Sequence, residues 1–226
     1  MKHIQIAIDG PVAAGKGTIA ALIAKKRNLL YVDTGAMYRA VALLGMRSGV
    51  DLSDEQQLLR LLEHNSLTVA TSEKRPGTCD IYLNQENVSE EIRTPKVSWG
   101  SSVVATHPAI RNYLVAQQRE IAKKKSVVME GRDIGLRVLP DAKLKIFLTA
   151  DQTVRARRRK EQLAKKGIQT SYSHVLQETR KRDQQDMHRS IDPLQPPPGA
   201  LIIDTTDLTI DEVVAMIVNK LDEISK

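Results

Sequence analysis

Two glycines and a lysine near the start of the chain have the spacing of a phosphate-binding loop. The pattern Gly10-x4-Gly15-Lys16 follows a short run of alternating isoleucines and leads into a predicted helix from Lys16 to about Arg27. Glycines let consecutive backbone N–H groups curl round an anion, and the start of the following helix adds its positive end. Lys16 supplies a mobile charge for outer phosphates. A glycine turn with a chance lysine is the alternative, but the strand–loop–helix context favours a bound nucleoside triphosphate.

The composition is that of an ordinary globular domain that binds an anion. The chain has 226 residues and a formal net charge of +7, and only 3% of its residues are aromatic. Few side chains are therefore available to stack on nucleic-acid bases, which favours small phosphorylated ligands over a polymer. The single Cys79 excludes an internal disulfide. Because no stretch approaches the roughly 20 apolar residues of a membrane span and no signal peptide is evident, we expect a cytoplasmic protein that contacts no membrane.

Strand-like and helix-like segments alternate along most of the chain, which predicts a parallel sheet with helices on both faces. Ligands of such sheets bind at the carboxyl ends of the strands. Thr34 is the predicted N-cap of one helix, Ser53 begins a predicted capping box, and Thr209 with Glu212 forms another. The predicted strands are residues 4–8, 29–32, 127–130, 144–149 and 201–204.

A segment from about residue 67 to 97 interrupts this alternation. Short strand-like pieces are separated there by Gly, Pro and Asn turns, without a long helix. We therefore predict a small β-rich insertion into a single domain.

Acidic residues and arginines stand where three predicted strands end. Asp9, Asp33 and Glu130 occupy those ends, and Arg39 and Arg132 lie close to them in sequence. Bidentate arginines suit a second phosphate group beside a triphosphate. For either arginine alone a surface salt bridge is the better interpretation, whereas the two together beside a phosphate loop favour a binding role.

A very basic helix is predicted after Asp151. Charge runs on helices are usually solvated faces, but here only Glu161 interrupts the positive charges and Gly167 could act as a hinge. We therefore predict a mobile basic cover over the triphosphate, which would neutralise charge and expel water on closing. Its basic residues are Arg155, Arg157, Arg158, Arg159, Lys160, Lys165 and Lys166.

The quoted loop resembles that of nucleoside monophosphate kinases, in which the ending Gly15-Lys16-Gly17-Thr18 is usual. Further segments are similar to signatures of the bacterial cytidylate kinase family. Glu130 departs from that pattern, because aspartate is expected before Gly-Arg-Asp. The similar segments are Asp33-Thr34-Gly35-Ala36-Met37-Tyr38-Arg39, Glu130-Gly131-Arg132-Asp133-Ile134-Gly135, Val88-Ser89-x3-Arg93-Thr94 and Arg182-Asp183-x2-Asp186-x2-Arg189.

The resemblance implies a three-layer P-loop α/β/α fold with a parallel central sheet, an insert that binds the nucleoside monophosphate and a short basic helical lid. It also implies Mg²⁺-dependent, in-line transfer of the terminal phosphoryl group of ATP to CMP or dCMP in pyrimidine metabolism. The corresponding ranges are residues 1–65, 100–153 and 168–226 for the core, 66–99 for the insert and 154–167 for the lid.

Residue roles are likewise carried over from the resemblance. No direct metal ligand is assigned, although Thr18 could reach Mg²⁺ through water. The implied ATP-binding residues are Gly10, Pro11, Val12, Ala13, Ala14, Gly15, Lys16, Gly17 and Thr18. The implied catalytic residues are Lys16, Arg132, Arg155, Arg158 and Arg159. The implied CMP-binding residues are Asp33, Thr34, Arg39, Ser102, Arg111, Arg132, Asp133, Arg182, Asp186 and Arg189.

Within the CMP-binding set, the resemblance divides the roles. Arg39 and Arg132 would hold the phosphate, and Arg182 and Asp186 the ribose. Ser102, Arg111, Asp133 and Arg189 would read the cytosine edge, with Ser98 and Ser101 as neighbours that one alignment gap would exchange for Ser102.

Three other interpretations compete with this one. A kinase for AMP, GMP, UMP or shikimate would share the phosphate loop. A GTP-binding switch would explain Asn219-Lys220-Leu221-Asp222, but that segment lies in a predicted amphipathic helix and no Asp-x-x-Gly occurs in the chain. An RNA-binding protein could use the basic helix but would not need the phosphate loop. We expect a monomer that binds no nucleic acid.

Overall fold

The computed structural model describes residues 3–74, 78–189 and 191–225, so residues 75–77 of the predicted insert lie outside the described part. The chain divides into two compact units. We call Ala24–Met129, with residues 3 and 4, the helical unit. We call Gln5–Ile23, with residues 130–225, the phosphate-loop unit.

The order of elements is that of an α/β protein. The strands are β1 (Gln5–Asp9), β2 (Leu30–Asp33), β3 (Leu67–Thr71), β4 (Cys79–Leu83), β5 (Glu86–Asn87), β6 (Val127–Gly131), β7 (Leu144–Thr149) and β8 (Leu201–Asp204). The helices are α1 (Lys16–Arg27), α2 (Thr34–Arg47), α3 (Glu55–His64), α4 (Pro95–Val104), α5 (Pro108–Lys124), α6 (Gln152–Ala164), α7 (Tyr172–His188) and α8 (Ile210–Glu223). Short helical turns cover Glu91–Arg93 and Ile134–Val138.

Five parallel strands form the central sheet in the order β2-β6-β1-β7-β8, and helices flank it. The predicted three-layer α/β/α fold is therefore confirmed. In the phosphate-loop unit, Asp9 at the end of β1 lies opposite Phe147 of β7, and Thr149 at the end of β7 lies opposite Asp204 of β8. The carboxyl ends of these three strands thus lie at one edge of the sheet.

The central strands are buried on both faces. Ile6 and Ile8 are fully buried, as the run of alternating isoleucines predicts for a buried strand, and Ala7 between them is fully buried as well. Strands covered by helices on both sides bury successive residues, so they carry continuous apolar runs rather than a clean alternation.

In the helical unit the core is apolar, and it depends on small residues where helices meet. A Cβ added to Gly100 of α4 would lie 2.6 Å from Met46 and 2.7 Å from Leu52, and Ala42 of α2 is 3.3 Å away. A Cβ on Gly45 of α2 would lie 2.7 Å from Leu52. Gly100 therefore allows α4 to approach α2 closely, and Gly45 leaves room for the Leu52 side chain.

A second sheet, antiparallel and three-stranded, has the order β3-β4-β5. It lies within residues 66–99, where the sequence predicts a β-rich insertion. The same range also contains the first half of α4, which the sequence analysis does not predict. Thr94 caps α4 and Pro95 occupies its first turn, a pairing that favours helix initiation and that the surrounding turn residues conceal.

Two predicted helix caps are wrong by one residue. Asp33, not Thr34, caps α2, because its carboxylate accepts the Ala36 N–H. Asp54, not Ser53, caps α3 through the Gln57 N–H, so no capping box forms there. The predicted capping box between Thr209 and Glu212 is confirmed at the start of α8.

Among the described residues, no helix combines the length and apolar character needed to cross a bilayer.

Candidate active site

The loop between β1 and α1 has a backbone that requires glycine where the chain leaves the sheet. Gly10 has φ of +148°, and a Cβ there would lie 2.1 Å from the Leu148 carbonyl oxygen. Only a residue without a side chain can pass so close to the β7 backbone. Gly15 is also in the left-handed region, with φ of +94°. The predicted Gly-x4-Gly-Lys turn thus has a backbone that other residues could not adopt without strain.

Lys16 lies inside this loop. Its side chain is 5% exposed, and its Nζ donates to the Pro11 carbonyl oxygen at 2.8 Å and lies 3.9 Å from a Glu130 carboxylate oxygen. Burial, followed by the charge of Arg132, lowers the pKa of Lys16 to about 7. A polyanion bound in the loop would favour the protonated form, so the site is electrostatically prepared for phosphate groups.

Asp9 is a fully buried carboxylate immediately before the loop. Its two oxygens accept the backbone N–H groups of Ile134 and Gly135 at 2.7 and 2.8 Å. Burial raises the pKa of Asp9 to about 6, although these hydrogen bonds oppose the shift. Asp9 therefore connects the start of the phosphate loop to the turn that follows Arg132 and Asp133.

Two acid–arginine pairs join this turn to α7 and the residue after it. Arg132 Nε donates to Asp186 at 2.7 Å, and Arg189 lies 3.7 Å from Asp133. Burial alone would raise the pKa of Asp186, but Arg132 and then Arg182 outweigh it and hold that pKa below its ordinary value. The structure thus brings together five of the predicted CMP-binding residues within the phosphate-loop unit.

A third pair lies in the helical unit, at the start of α2. Arg39 donates to Asp33 at 2.7 Å, while the same carboxylate caps the helix. Burial alone would raise the pKa of Asp33, but Arg39 outweighs it and the pKa is lowered. Thr34 is buried at the first position of α2. The predicted phosphate-binding Arg39 is thus held at a defined position by Asp33.

The other predicted nucleoside-reading residues of the helical unit lie on α4 and α5. Arg111 is 2% exposed, its guanidinium carbon is 5.8 Å from the Tyr38 ring centroid, and it donates to the Ala105 carbonyl oxygen at 3.3 Å. Ser102 is half-buried on α4, whereas Ser101 is buried and donates to the Ser98 carbonyl oxygen at 2.7 Å. Whether Ser102 or a neighbouring serine reads a base stays a prediction.

The basic helix α6 differs from its predicted character. In the sequence only Glu161 stands among its positive charges, but in the structure Arg155 is buried and forms an ion pair with Asp183 of α7. Arg158 donates to the hydroxyl and carbonyl oxygens of Thr205, at 2.9 and 2.6 Å. The Thr205 hydroxyl in turn donates to the Thr149 carbonyl oxygen at 3.0 Å. The start of α6 is therefore fixed to the sheet edge by side-chain contacts.

Asp183 and Thr205 are site residues that the sequence analysis did not single out. Asp183 stands inside the quoted Arg182-Asp183-x2-Asp186 segment, and its spacing of three from Asp186 places both acids on neighbouring turns of a helix. That spacing was the available signal. For Thr205 the sequence carries no such signal, because its partners Arg158 and Thr149 are distant along the chain.

The chain is similar to known proteins over nearly its whole length. The cytidylate kinase family profile matches residues 6–223. The chain is 46% identical to a cytidylate kinase of Bacillus pumilus, covering 100% of this chain and 99% of the relative. It is 49% identical to a cytidylate kinase of Pelotomaculum thermopropionicum, covering 96% of this chain and 95% of the relative.

A solved structure supports the fold alone. An uncharacterized protein from Eubacterium ventriosum aligns with 97% of this chain and 99% of its own, at 13% identity and a TM-score of 0.52. The profile match and the two relatives cover nearly the whole chain, including the phosphate loop, the Arg132 turn and α7. The chain belongs to the cytidylate kinase family.

Proposed function

We propose that this chain transfers the terminal phosphoryl group of ATP to CMP or dCMP, giving ADP and CDP or dCDP. The observation that carries the proposal is a pair of cations in one unit, the buried Lys16 and the half-buried Arg132, which lie close enough for Arg132 to lower the pKa of Lys16. Two neighbouring cations suit the meeting of two phosphate groups, one from the donor and one from the acceptor.

The chemistry needs positioning more than proton transfer. An oxygen of the CMP phosphate is the nucleophile, and since its second pKa is about 6 it is largely ionised at neutral pH. No general base is required. Lys16 binds the outer phosphates of ATP, and Arg132, held by Asp186, orients the acceptor phosphate. The rate gain then comes from orientation and from positive charge around a loose transition state.

Cytosine recognition is proposed for the charged groups next to Arg132. The exocyclic amine of cytosine donates to a carboxylate such as Asp133, and a ring acceptor takes a donor from Arg189. Asp133 is 6% exposed, so an unsuitable base would leave a buried polar group without its partner. Such mismatches discriminate strongly, and UMP is therefore expected to be a poorer acceptor.

Magnesium would be held with the triphosphate. Among the described residues no three His, Cys, Asp or Glu side chains gather as an all-protein metal cage. The exposed Thr18 hydroxyl at the start of α1 and the Glu130 carboxylate, 3.9 Å from Lys16, are oxygen donors of the kind that suit an ion bound largely by phosphate and water. Bound there, magnesium would add positive charge at the outer phosphates.

The basic helix α6 is proposed as the cover over the triphosphate. Arg158 and Arg159 are half-buried on α6 and are the candidates for stabilising charge on the transferred group. Gly167, after the helix, has φ of +75°, and a Cβ added there would meet none of the described residues within 4 Å. This left-handed position after the helix is the proposed hinge.

An acceptor panel tests the proposal. ADP formation from Mg-ATP is measured separately with CMP, dCMP, UMP, AMP and GMP, with a control that contains no acceptor. Activity concentrated on CMP and dCMP is the expected result. Preference for another acceptor would retain the kinase reaction but overturn the cytosine assignments. ATP hydrolysis indifferent to the acceptor would leave only nucleotide binding by the loop.

A further inference from the structure

A buried ion pair in the phosphate-loop unit joins two helices. Arg155 lies in the first turns of α6, and Asp183 lies on α7; their side chains are each 6% exposed. The two terminal guanidinium nitrogens donate to separate oxygens of the carboxylate, Nη1 at 3.0 Å and Nη2 at 2.7 Å. A bidentate pair of this kind fixes both position and orientation of the guanidinium group.

The remaining contacts of Arg155 reach the sheet edge and the phosphate loop. Its Nε donates to the Ala150 carbonyl oxygen at 2.9 Å, and its Nη1 donates to the Val12 carbonyl oxygen at 3.3 Å. One guanidinium therefore contacts the end of β7, the phosphate loop and α7 together. A phosphate oxygen would have to compete with these acceptors, so the geometry does not favour Arg155 as a ligand of the transferred group.

Asp183 also holds the first residue of α6. The Gln152 amide donates to Asp183 at 3.0 Å, so the same carboxylate binds two side chains of the basic helix. One turn further along α7, Asp186 holds Arg132 at 2.7 Å. The two acids of α7 thus fix two arginines, one beside the phosphate loop and one in the proposed acceptor site.

We propose that Asp183 is a positioning residue for phosphoryl transfer, which fixes Arg155 against the Val12 carbonyl and thereby sets the phosphate loop and the start of α6. The assignment rests on the proposed function for its catalytic consequence. Arg155 is then a positioning residue too. Without its carboxylate the buried guanidinium would turn toward other anions, and Val12 would lose its donor, so the loop would bind nucleotide less well.

The first test removes the charge of Asp183 without changing its shape. Asp183→Asn is compared with Glu178→Gln, an exposed acid-to-amide change on the same helix, using kcat, the KM values for ATP and CMP, and the affinity for ADP without an acceptor. We expect kcat/KM for ATP to fall about 10- to 100-fold in Asp183→Asn, with weaker ADP binding and a KM for CMP within about twofold. Glu178→Gln should match the wild type. An unchanged kcat/KM for ATP would overturn the proposal, because the ion pair would then not be needed for use of ATP. An improved kcat/KM would also overturn it, because Arg155 would then act better when released.

A second variant separates positioning from simple stabilisation of the fold. Replacing a buried ion pair by apolar residues often preserves stability, so Arg155→Met combined with Asp183→Leu should unfold near the wild-type temperature. We expect its ADP affinity and kcat/KM for ATP to stay low. Recovery of both would show that the pair only holds the fold. If the wild type itself fails the CMP assay, the proposed function is lost, while ADP affinity still decides whether Asp183 positions the loop.

Discussion

The centre of the helical unit is apolar, whereas the centre of the phosphate-loop unit contains charge. Among the described residues, buried charged side chains number two in the helical unit and five in the phosphate-loop unit. The first two are Asp80 and Arg111; the others are Asp9, Lys16, Asp133, Arg155 and Asp183. The helical unit is held by close apolar packing of α2 against α4. The phosphate-loop unit instead uses burial to keep charges in place for phosphate chemistry, at a cost in stability.

This difference predicts where substitutions act. Changes in the phosphate-loop unit should alter activity and pH dependence more than stability, and changes in the apolar core of the helical unit should do the opposite. The following four variants test that division, from the largest expected effect to the smallest.

Lys16→Met should nearly abolish turnover while leaving the fold intact. Loss of a preorganised cation at developing phosphate charge costs on the order of 10³ in kcat. Stability at pH 7 should be unchanged or higher, because burial already disfavours the ammonium form and lowers its pKa to about 7. Initial rates and urea unfolding measure the two effects. A large loss of stability with normal turnover would remove the contrast between the units.

Asp9→Asn should remove the part of the pH dependence of stability that comes from the Asp9 carboxyl. Because the folded pKa of Asp9 is raised from 3.8 to about 6, the native state keeps a proton between those pH values that the unfolded state has released. Wild-type stability should therefore fall as pH rises from about 4 to 6, by about 2 to 3 kcal/mol relative to Asp9→Asn.

The measurement is urea unfolding at several pH values between 4 and 7. Asp141→Asn, an exposed acid of the same unit, is the control and should show no comparable difference. A wild-type-minus-variant difference that is constant with pH would contradict the prediction.

Gly100→Val tests the helical unit. The added side chain would meet Met46 and Leu52, so α4 must shift or its neighbours must leave their preferred rotamers. Overpacking of this kind costs about 1 to 3 kcal/mol. The free energy of unfolding should fall by that amount with little change in KM for ATP. Lys96→Val, at an exposed position of the same helix, should lose less stability.

Arg47→Ala should have the smallest effect. Arg47 donates to Glu86 at 2.7 and 2.8 Å and also contacts Glu91, but the side chain is 37% exposed and the glutamates more so. Exposed ion pairs contribute little. We expect a small fall in the urea midpoint that shrinks further in high salt. A loss as large as that of Gly100→Val would mean that surface charge, as well as apolar packing, holds the helical unit.

Local patterns accounted for much of the fold. The strand over β7 and the helix from Lys16 to Arg27 were predicted with the bounds observed, because hydrophobic periodicity and the loop glycines act within a few residues. The caps were less predictable. Asp33 and Thr34 are both good cap residues, and only the position of the first helical turn selects Asp33. Helix α4 was not predicted, because the turn residues that precede it conceal its start.

The residues of this chain by themselves determined the phosphate loop, the alternation of strands and helices, and the family. These depend on residue type and spacing within short segments. Tertiary structure alone decided which charges are buried and with which partners: Asp9 binds N–H groups 125 and 126 positions away, and Arg155 meets Asp183 across 28 residues. Such pairings follow from how elements pack, and the free energy of a buried charge depends on the dielectric and hydrogen-bond surroundings that packing creates.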